Sequence, residues 1–250
     1  MMDATQMQDT DKKNKYDCYE NGRFCGRIWS APIIFSPPEL KERLDSFRLE
    51  GRKIADLKLV GLNYCLSYDH LEALLLKDTD GAEQEIDYEK HIGLYAEIDE
   101  PMLIRFEDGD VLEILEETDG EHLVSMNSIP WEIKAGTNLP NIDASAFFKD
   151  CIGRTITAVE LHICDLSERE NYFQPLNASE NQTDFVKYIV LRFDDGNGLR
   201  FSGWLDFCNV DYIDHNNNFI EKTFREISSA FFNLDEIVND MLNDMLNDEC

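Results

Sequence analysis

Apolar and polar positions along the chain form two stretches with one shared pattern. In the first, Ser36-Pro37-Pro38-Glu39 has the form of a helix start, with Ser36 as N-cap, Pro37 at the first helical position and Glu39 closing a capping box. Leu40, Leu44 and Phe47 then recur at helical spacing up to Gly51, a residue able to close the helix in the left-handed conformation. In the second, Asp143 caps a shorter helix through Phe147 and Phe148 that ends at Gly153. A strand follows each glycine. Ile54, Leu57 and Leu59 mark the first strand, and Ile156, Val159, Leu161 and Ile163 the second. The second alternates with polar residues from Val159 on, as a half-buried strand does.

The resemblance extends to the residues themselves. Gly51-Arg52-Lys53-Ile54 reappears as Gly153-Arg154-Thr155-Ile156, and Leu103-Ile104-Arg105-Phe106-Glu107-Asp108-Gly109 as Val190-Leu191-Arg192-Phe193-Asp194-Asp195-Gly196. A weaker match sets Met126-Asn127-Ser128-Ile129 against Phe207-Cys208-Asn209-Val210. Three matches in the same order point to internal duplication. Each Phe-acid-Asp-Gly segment reads as a hairpin turn. Pairing Phe106 with Leu112 and Phe193 with Leu199 leaves loops at 107–111 and 194–198. This register sets Arg105 opposite Glu113 and Arg192 opposite Arg200.

The expected fold class is α+β: a duplicated helix–strand–hairpin–strand unit, mainly antiparallel sheets, and C-terminal helices. Residues 1–21 read as a mobile polar segment. Residues 22–133 form the first copy with its N-terminal strands, and 143–214 the second. The junction at 133–142 holds Gly136, Pro140 and Asn141. Residues 219–250 read as two helices that break near Asn233. The second of them carries a Met/Leu stripe (Met241, Leu242, Met245, Leu246) that packs on the body.

The charge of the chain is its most unusual property. The 250 residues carry 23 basic and 51 acidic side chains, a net charge of −28. Such a surface argues against nucleic-acid or anionic-membrane partners and favours a basic protein. No apolar run reaches membrane-spanning length, and the acidic start is not a signal peptide. Seven scattered cysteines with no CxxC fit reduced thiols, so the expected compartment is the cytoplasm. The acids are concentrated: residues 97–121 hold eleven against one base, Arg105, whereas 184–206 hold four acids and three bases. The candidate partner-binding residues are therefore Asp110, Glu113, Glu116, Glu117, Asp119 and Glu121, projecting outward, with Trp131 as apolar anchor.

Other chemistry finds little support. Asp78-Thr79-Asp80-Gly81 lacks EF-hand spacing, since the first-ligand position is Leu76 and the twelfth Asp87. His70, His91, His122, His162 and His215 show no zinc-site spacing. His162 and Cys164 share one strand face, with His162 read as a partly buried strand residue rather than a ligand. No P-loop, GxSxG or GxGxxG occurs, and Gly196-Asn197-Gly198 is a turn. No catalytic residue, metal or cofactor is implied. The functional expectation is a non-enzymatic acidic binding module of the immunity-protein or antitoxin kind. The alternative is an enzyme or small-ligand binder with a site in the cleft between the copies.

Overall fold

The computed structural model describes residues 19–20, 23–24, 31–59, 63–64, 75–76, 85–86, 89–98, 101–116, 120–132, 148–168, 182–204 and 207–223. Two antiparallel meanders organise them. The first runs through β4 (Ile54–Leu59), β10 (Met102–Phe106), β11 (Val111–Glu116) and β12 (His122–Met126). With β3 (Ile33–Ile34) at its edge, it makes a five-stranded sheet in the order β3-β12-β11-β10-β4. The second runs through β13 (Ile156–Asp165), β14 (Asp184–Phe193), β15 (Gly198–Trp204) and β16 (Phe207–Ile213). With β9 (Tyr95–Ile98) and β5 (Asn63–Tyr64) it makes a six-stranded sheet in the order β13-β14-β15-β16-β9-β5. Three short ribbons complete the strands: β1 (Tyr19–Glu20) with β2 (Arg23–Phe24), β6 (Leu75–Leu76) with β7 (Glu85–Ile86), and β8 (His91–Gly93) with β17 (Glu221–Thr223).

The two meanders join through reciprocal backbone bonds. Gly51 N–H donates to Ile156 O and Gly153 N–H to Ile54 O, both at 2.8 Å; Ile54 N–H donates to Arg154 O and Ile156 N–H to Arg52 O, both at 2.9 Å. Each bond becomes its partner when the corresponding residues of the two meanders are exchanged, so the junction has local two-fold character about the Lys53–Thr155 bridge. Both glycines need their freedom: Gly51 has φ of +84° and Gly153 of +83°, at the third position of turns closed by Arg52 N–H to Leu49 O and Arg154 N–H to Cys151 O. One apolar cluster spans both sheets, from Ile54, Ile104, Phe106 and Leu112 to Ile156, Leu191, Phe193, Phe201 and Tyr212. Within it β11 packs on β15 and β16.

The α+β class with C-terminal helices is overturned. Among the described residues there is one α-helix, α1 (Pro37–Phe47), plus 3-10 turns at Lys149–Cys151 and Leu166–Glu168. The start of the expected C-terminal helix is extended: Phe219 bridges Ile213, and β17 pairs with β8. Backbone pairing to a neighbouring strand overrides a weak helical pattern there. The helix start at Asp143, the 133–142 junction, the Met/Leu stripe and most of the 1–21 segment lie outside the described residues, as do Cys18, Cys25, Cys65, Cys250 and the Asp78–Gly81 turn. Cys151, Cys164 and Cys208 form no disulfide. Helix α1 starts after Ser36 with Pro37 in its first turn, but Ser36 makes no side-chain cap bond; the left-handed C-cap is Arg48 (φ 51°) rather than Gly51.

The hairpin register differs from expectation by two residues in both meanders. Ile104 faces Leu112 and Leu191 faces Leu199. The phenylalanines belong to the turns: Phe106 N–H bonds Asp110 O, Phe193 N–H bonds Asn197 O, and Gly109 (φ +94°) and Gly196 (φ +86°) take the left-handed position of a three-residue loop. A shift of two preserves which face each residue occupies, so the core residues are unchanged. The cross-strand partners do change. Arg105 lies opposite Val111, and Arg192 opposite Gly198, so the two arginines Arg192 and Arg200 avoid direct opposition; they pair instead with Glu160 (3.0 Å) and Asp211 (2.7 Å).

Two kinds of glycine give contrasting predictions. A Cβ on Gly198 would lie 2.7 Å from Leu191 O, a backbone atom that cannot move without breaking the β14–β15 ladder. Gly198→Ala is expected to cost about 2 kcal/mol through overpacking. Gly153 has open space around it, so Gly153→Ala carries only the left-handed backbone cost of about 1 kcal/mol. Urea unfolding of the two variants checks the order, and equal losses would refute it.

Candidate functional site

Among its described residues the acidic segment does not project outward throughout. At the β10–β11 turn, Arg52 Nη1 lies 2.7 Å from Asp110 Oδ2 and 3.2 Å from Asp108 Oδ2, and Lys53 Nζ lies 2.6 Å from Glu107 Oε1. The hydrogen bond from Arg52 and a second from Asn127 Nδ2 (2.9 Å) hold the Asp110 carboxyl below its ordinary range. Arg154 answers Asp195 in the same way at 3.1 Å in the other meander. Much of the charge at this turn is neutralised by the chain's own cations.

Glu113 and Glu116 correct the expectation directly: both are fully buried. All six residues of β11 are buried, so both faces of this strand are covered, in part by β15 and β16. Alternation therefore does not send every second residue to water. Glu113 accepts hydrogen bonds from Ser125 Oγ (2.5 Å), Ser128 N–H (2.6 Å) and Ile129 N–H (2.9 Å), fastening the chain that leaves β12 onto the sheet. Glu116 Oε1 accepts from Gly120 N–H at 3.3 Å, and its Oε2 lies 3.6 Å from His122 Nδ1. Neither side chain reaches the surface. Glu121 is half-buried, while Glu117 and Asp119 lie outside the described residues. Trp131 is engaged within the chain: Lys58 Nζ sits 4.8 Å and Arg105 Cζ 4.5 Å from its ring centre, and Lys58 also donates to its carbonyl at 2.7 Å.

Around Glu116 the interior holds His122 and Cys208, residue types able to support nucleophilic chemistry. Their ionisation opposes it. His122 is completely buried with its Nε2 3.1 Å from Val186 O, and desolvation drives its pKa down to about 4 despite the carboxyl at 3.6 Å. Burial, and then the charge of Glu116, push the Cys208 thiol well above its usual value; burial does the same to Cys151. A reactive cysteine needs a thiolate beside a cationic imidazole, and this interior favours the neutral form of both. The register shift at His162/Ile163 places the extra residue, Lys187, on β14, so β13 keeps its alternation; His162 is exposed rather than partly buried, stacked on Tyr188 at 4.3 Å. No three His, Cys, Asp or Glu residues among those described are grouped to hold a metal.

An open cleft lies elsewhere, between α1 and β13. It encloses about 470 Å³ and is lined by Pro37, Pro38, Lys41, Leu44, Asp45, Val159, Leu161, Ile163 and Asp184. Pro37 starts α1 at one end, and Gln182 ties that end to the sheet by donating from Nε2 to Phe35 O (2.8 Å) and Asp184 O (2.9 Å). Its floor is apolar. Its ionisable groups are Lys41, paired with Asp45 at 2.7 Å, and Asp184. Ile163 is 51% exposed, unusual for a large apolar strand residue. In sequence Val159, Leu161 and Ile163 read as the buried side of a strand, and no local signal shows that β13 is a sheet edge.

Compared with known proteins, the chain matches no family model, no curated protein and no solved structure. Among the described residues no helix is long and apolar enough to cross a membrane.

Proposed function

We propose that this protein is a non-enzymatic, acidic binding module acting in the cytoplasm, an immunity-type or antitoxin-type inhibitor that masks a basic partner protein. The observation that carries this reading is the net charge of −28 and where its uncompensated part sits. Glu39, Glu42, Glu50, Glu132, Glu168 and Glu221 are exposed and form no ion pair among the described residues. They lie on α1 (Glu39, Glu42), just after it (Glu50), after β12 (Glu132), in the Leu166–Glu168 turn and on β17, so the field is distributed rather than confined to residues 97–121. A distributed negative field accelerates encounter with basic proteins and rejects acidic ones. The cleft adds apolar contact, and no His, Cys or Arg among the described residues lines it, which suits recognition better than catalysis.

Immobilised protein incubated with lysate of its native host is expected to retain basic proteins, released as salt rises from roughly 50 to 200 mM through screening. Retention of mainly acidic or neutral proteins, or binding indifferent to salt, would overturn the reading.

A further inference from the structure

The geometry points to the α1–β13 cleft as the docking place for an extended segment of the basic partner, added as a strand along β13; this rests on the proposed function for the partner's charge. β13 is ten residues long and ends its sheet. Beyond the Lys53–Thr155 bridge no strand among the described residues pairs with its outer edge. An open edge of this length supplies unpaired N–H and C=O groups to an incoming backbone. From Thr157 to Asp165 none of its residues is buried, and Val159, Leu161 and Ile163 line the cleft, with Leu161 two residues from each of the others. A strand presenting apolar side chains at every second position matches that spacing.

Charge at one end selects the occupant. Asp165 and Asp184 are directly opposed across the β13–β14 pair. Like charges in that position repel, and neither has an ion-pair partner among the described residues. Two hydrogen bonds from Ser167, side-chain at 2.6 Å and backbone at 2.8 Å, hold Asp165 ionised. A lysine or arginine arriving there would relieve the repulsion. A second copy of this chain would instead bring a net charge of −28 to the same place.

The test uses two fluorescein-labelled synthetic peptides, each with alternating valine and threonine. One carries two lysines at one end, the other two glutamates, and binding to the full-length protein is followed by anisotropy. The lysine peptide is expected to bind at least about tenfold more tightly than the glutamate peptide, in line with the charge selectivity of such interfaces. Ile163→Glu and Asp184→Lys alter exposed positions that the fold does not need, and each is expected to weaken the lysine peptide about tenfold. Equal binding of the two peptides, no binding of either, or binding untouched by both variants overturns the assignment. Sedimentation of the wild type as a dimer that Ile163→Glu dissociates would give the cleft to a second copy and overturn it too. A basic protein retained equally by wild type, Ile163→Glu and Asp184→Lys overturns the cleft while leaving the partner's charge intact. Peptide binding that behaves as expected, with no basic protein retained from lysate, has the opposite meaning.

Discussion

Replacing Glu113 by alanine is expected to destabilise the protein by about 3 kcal/mol, because a fully buried acceptor serves three donors at once. Two of these donors are backbone N–H groups, of Ser128 and Ile129. They cannot rotate to find other partners, and Ile129 is itself buried. Removing the carboxyl therefore leaves donors desolvated and unbonded and also opens a void against Ser125. Glu113→Gln keeps one carbonyl acceptor but turns an amide N–H₂ toward groups that themselves donate, so about half the loss should remain. Urea unfolding at neutral pH measures both. A loss below about 1 kcal/mol in Glu113→Ala would mean that the turn after β12 is held by its apolar contacts instead. Neutralising Glu113 as a test of partner binding would for the same reason confuse unfolding with lost recognition.

Acid should weaken the fold through His122 well before the carboxylates of the surface protonate. Burial lowers the ring's pKa from its ordinary 6.5 to about 4, so between those values the unfolded chain takes up a proton that the folded protein refuses. Stability then rises with pH in this window. The contribution is fully present above pH 6.5 and is lost progressively as pH falls toward 4, by about 3 kcal/mol in all. The groups facing the ring are Glu116 at 3.6 Å on one side and Val186 O on the other. The bond to Val186 O raises the pKa without offsetting desolvation. Asp110 acts in a separate window, since its pKa lies below 3.8 and its stabilisation fades only at lower pH. In His122→Gln the side-chain amide can still donate to Val186 O, and the pH dependence of the unfolding free energy between 4 and 6.5 should flatten. An unchanged slope in that variant would remove His122 as its source.

How much of this was legible in the sequence depends on the range over which each determinant acts. The turn chemistry is local. Phe106–Gly109 and Phe193–Gly196 announce their hairpins and Pro37 marks the start of α1, whereas Gly51 and Gly153, read as helix ends, sit in turns, α1 closing earlier at Arg48. The face assignments of β10, β11, β14 and β15 follow from period-two alternation, which survives even a two-residue error in register. That error arose because hydrogen bonding of the phenylalanines inside the turns, rather than apolar matching across them, sets the rung. Composition also made the charge plain.

Contacts distant in the chain account for the rest. Whether an acid is exposed depends on where its strand sits: β11 is central and covered on both faces, so Glu113 and Glu116 became interior groups although their neighbours read like a solvated face. Phe219 and Glu221–Thr223 took an extended form because Ile213 and the strand β8 were available to pair with them. Apolar residues on β13 that resemble core became partly exposed because the strand ends its sheet and α1 covers only part of its length. Strand order and coverage arise from contacts between residues far apart in the chain, as between Gln182 and Phe35, and no local pattern encodes them. Local chemistry set the turns, the alternating faces and the sign of the surface. Long-range pairing determined which of those faces meets water.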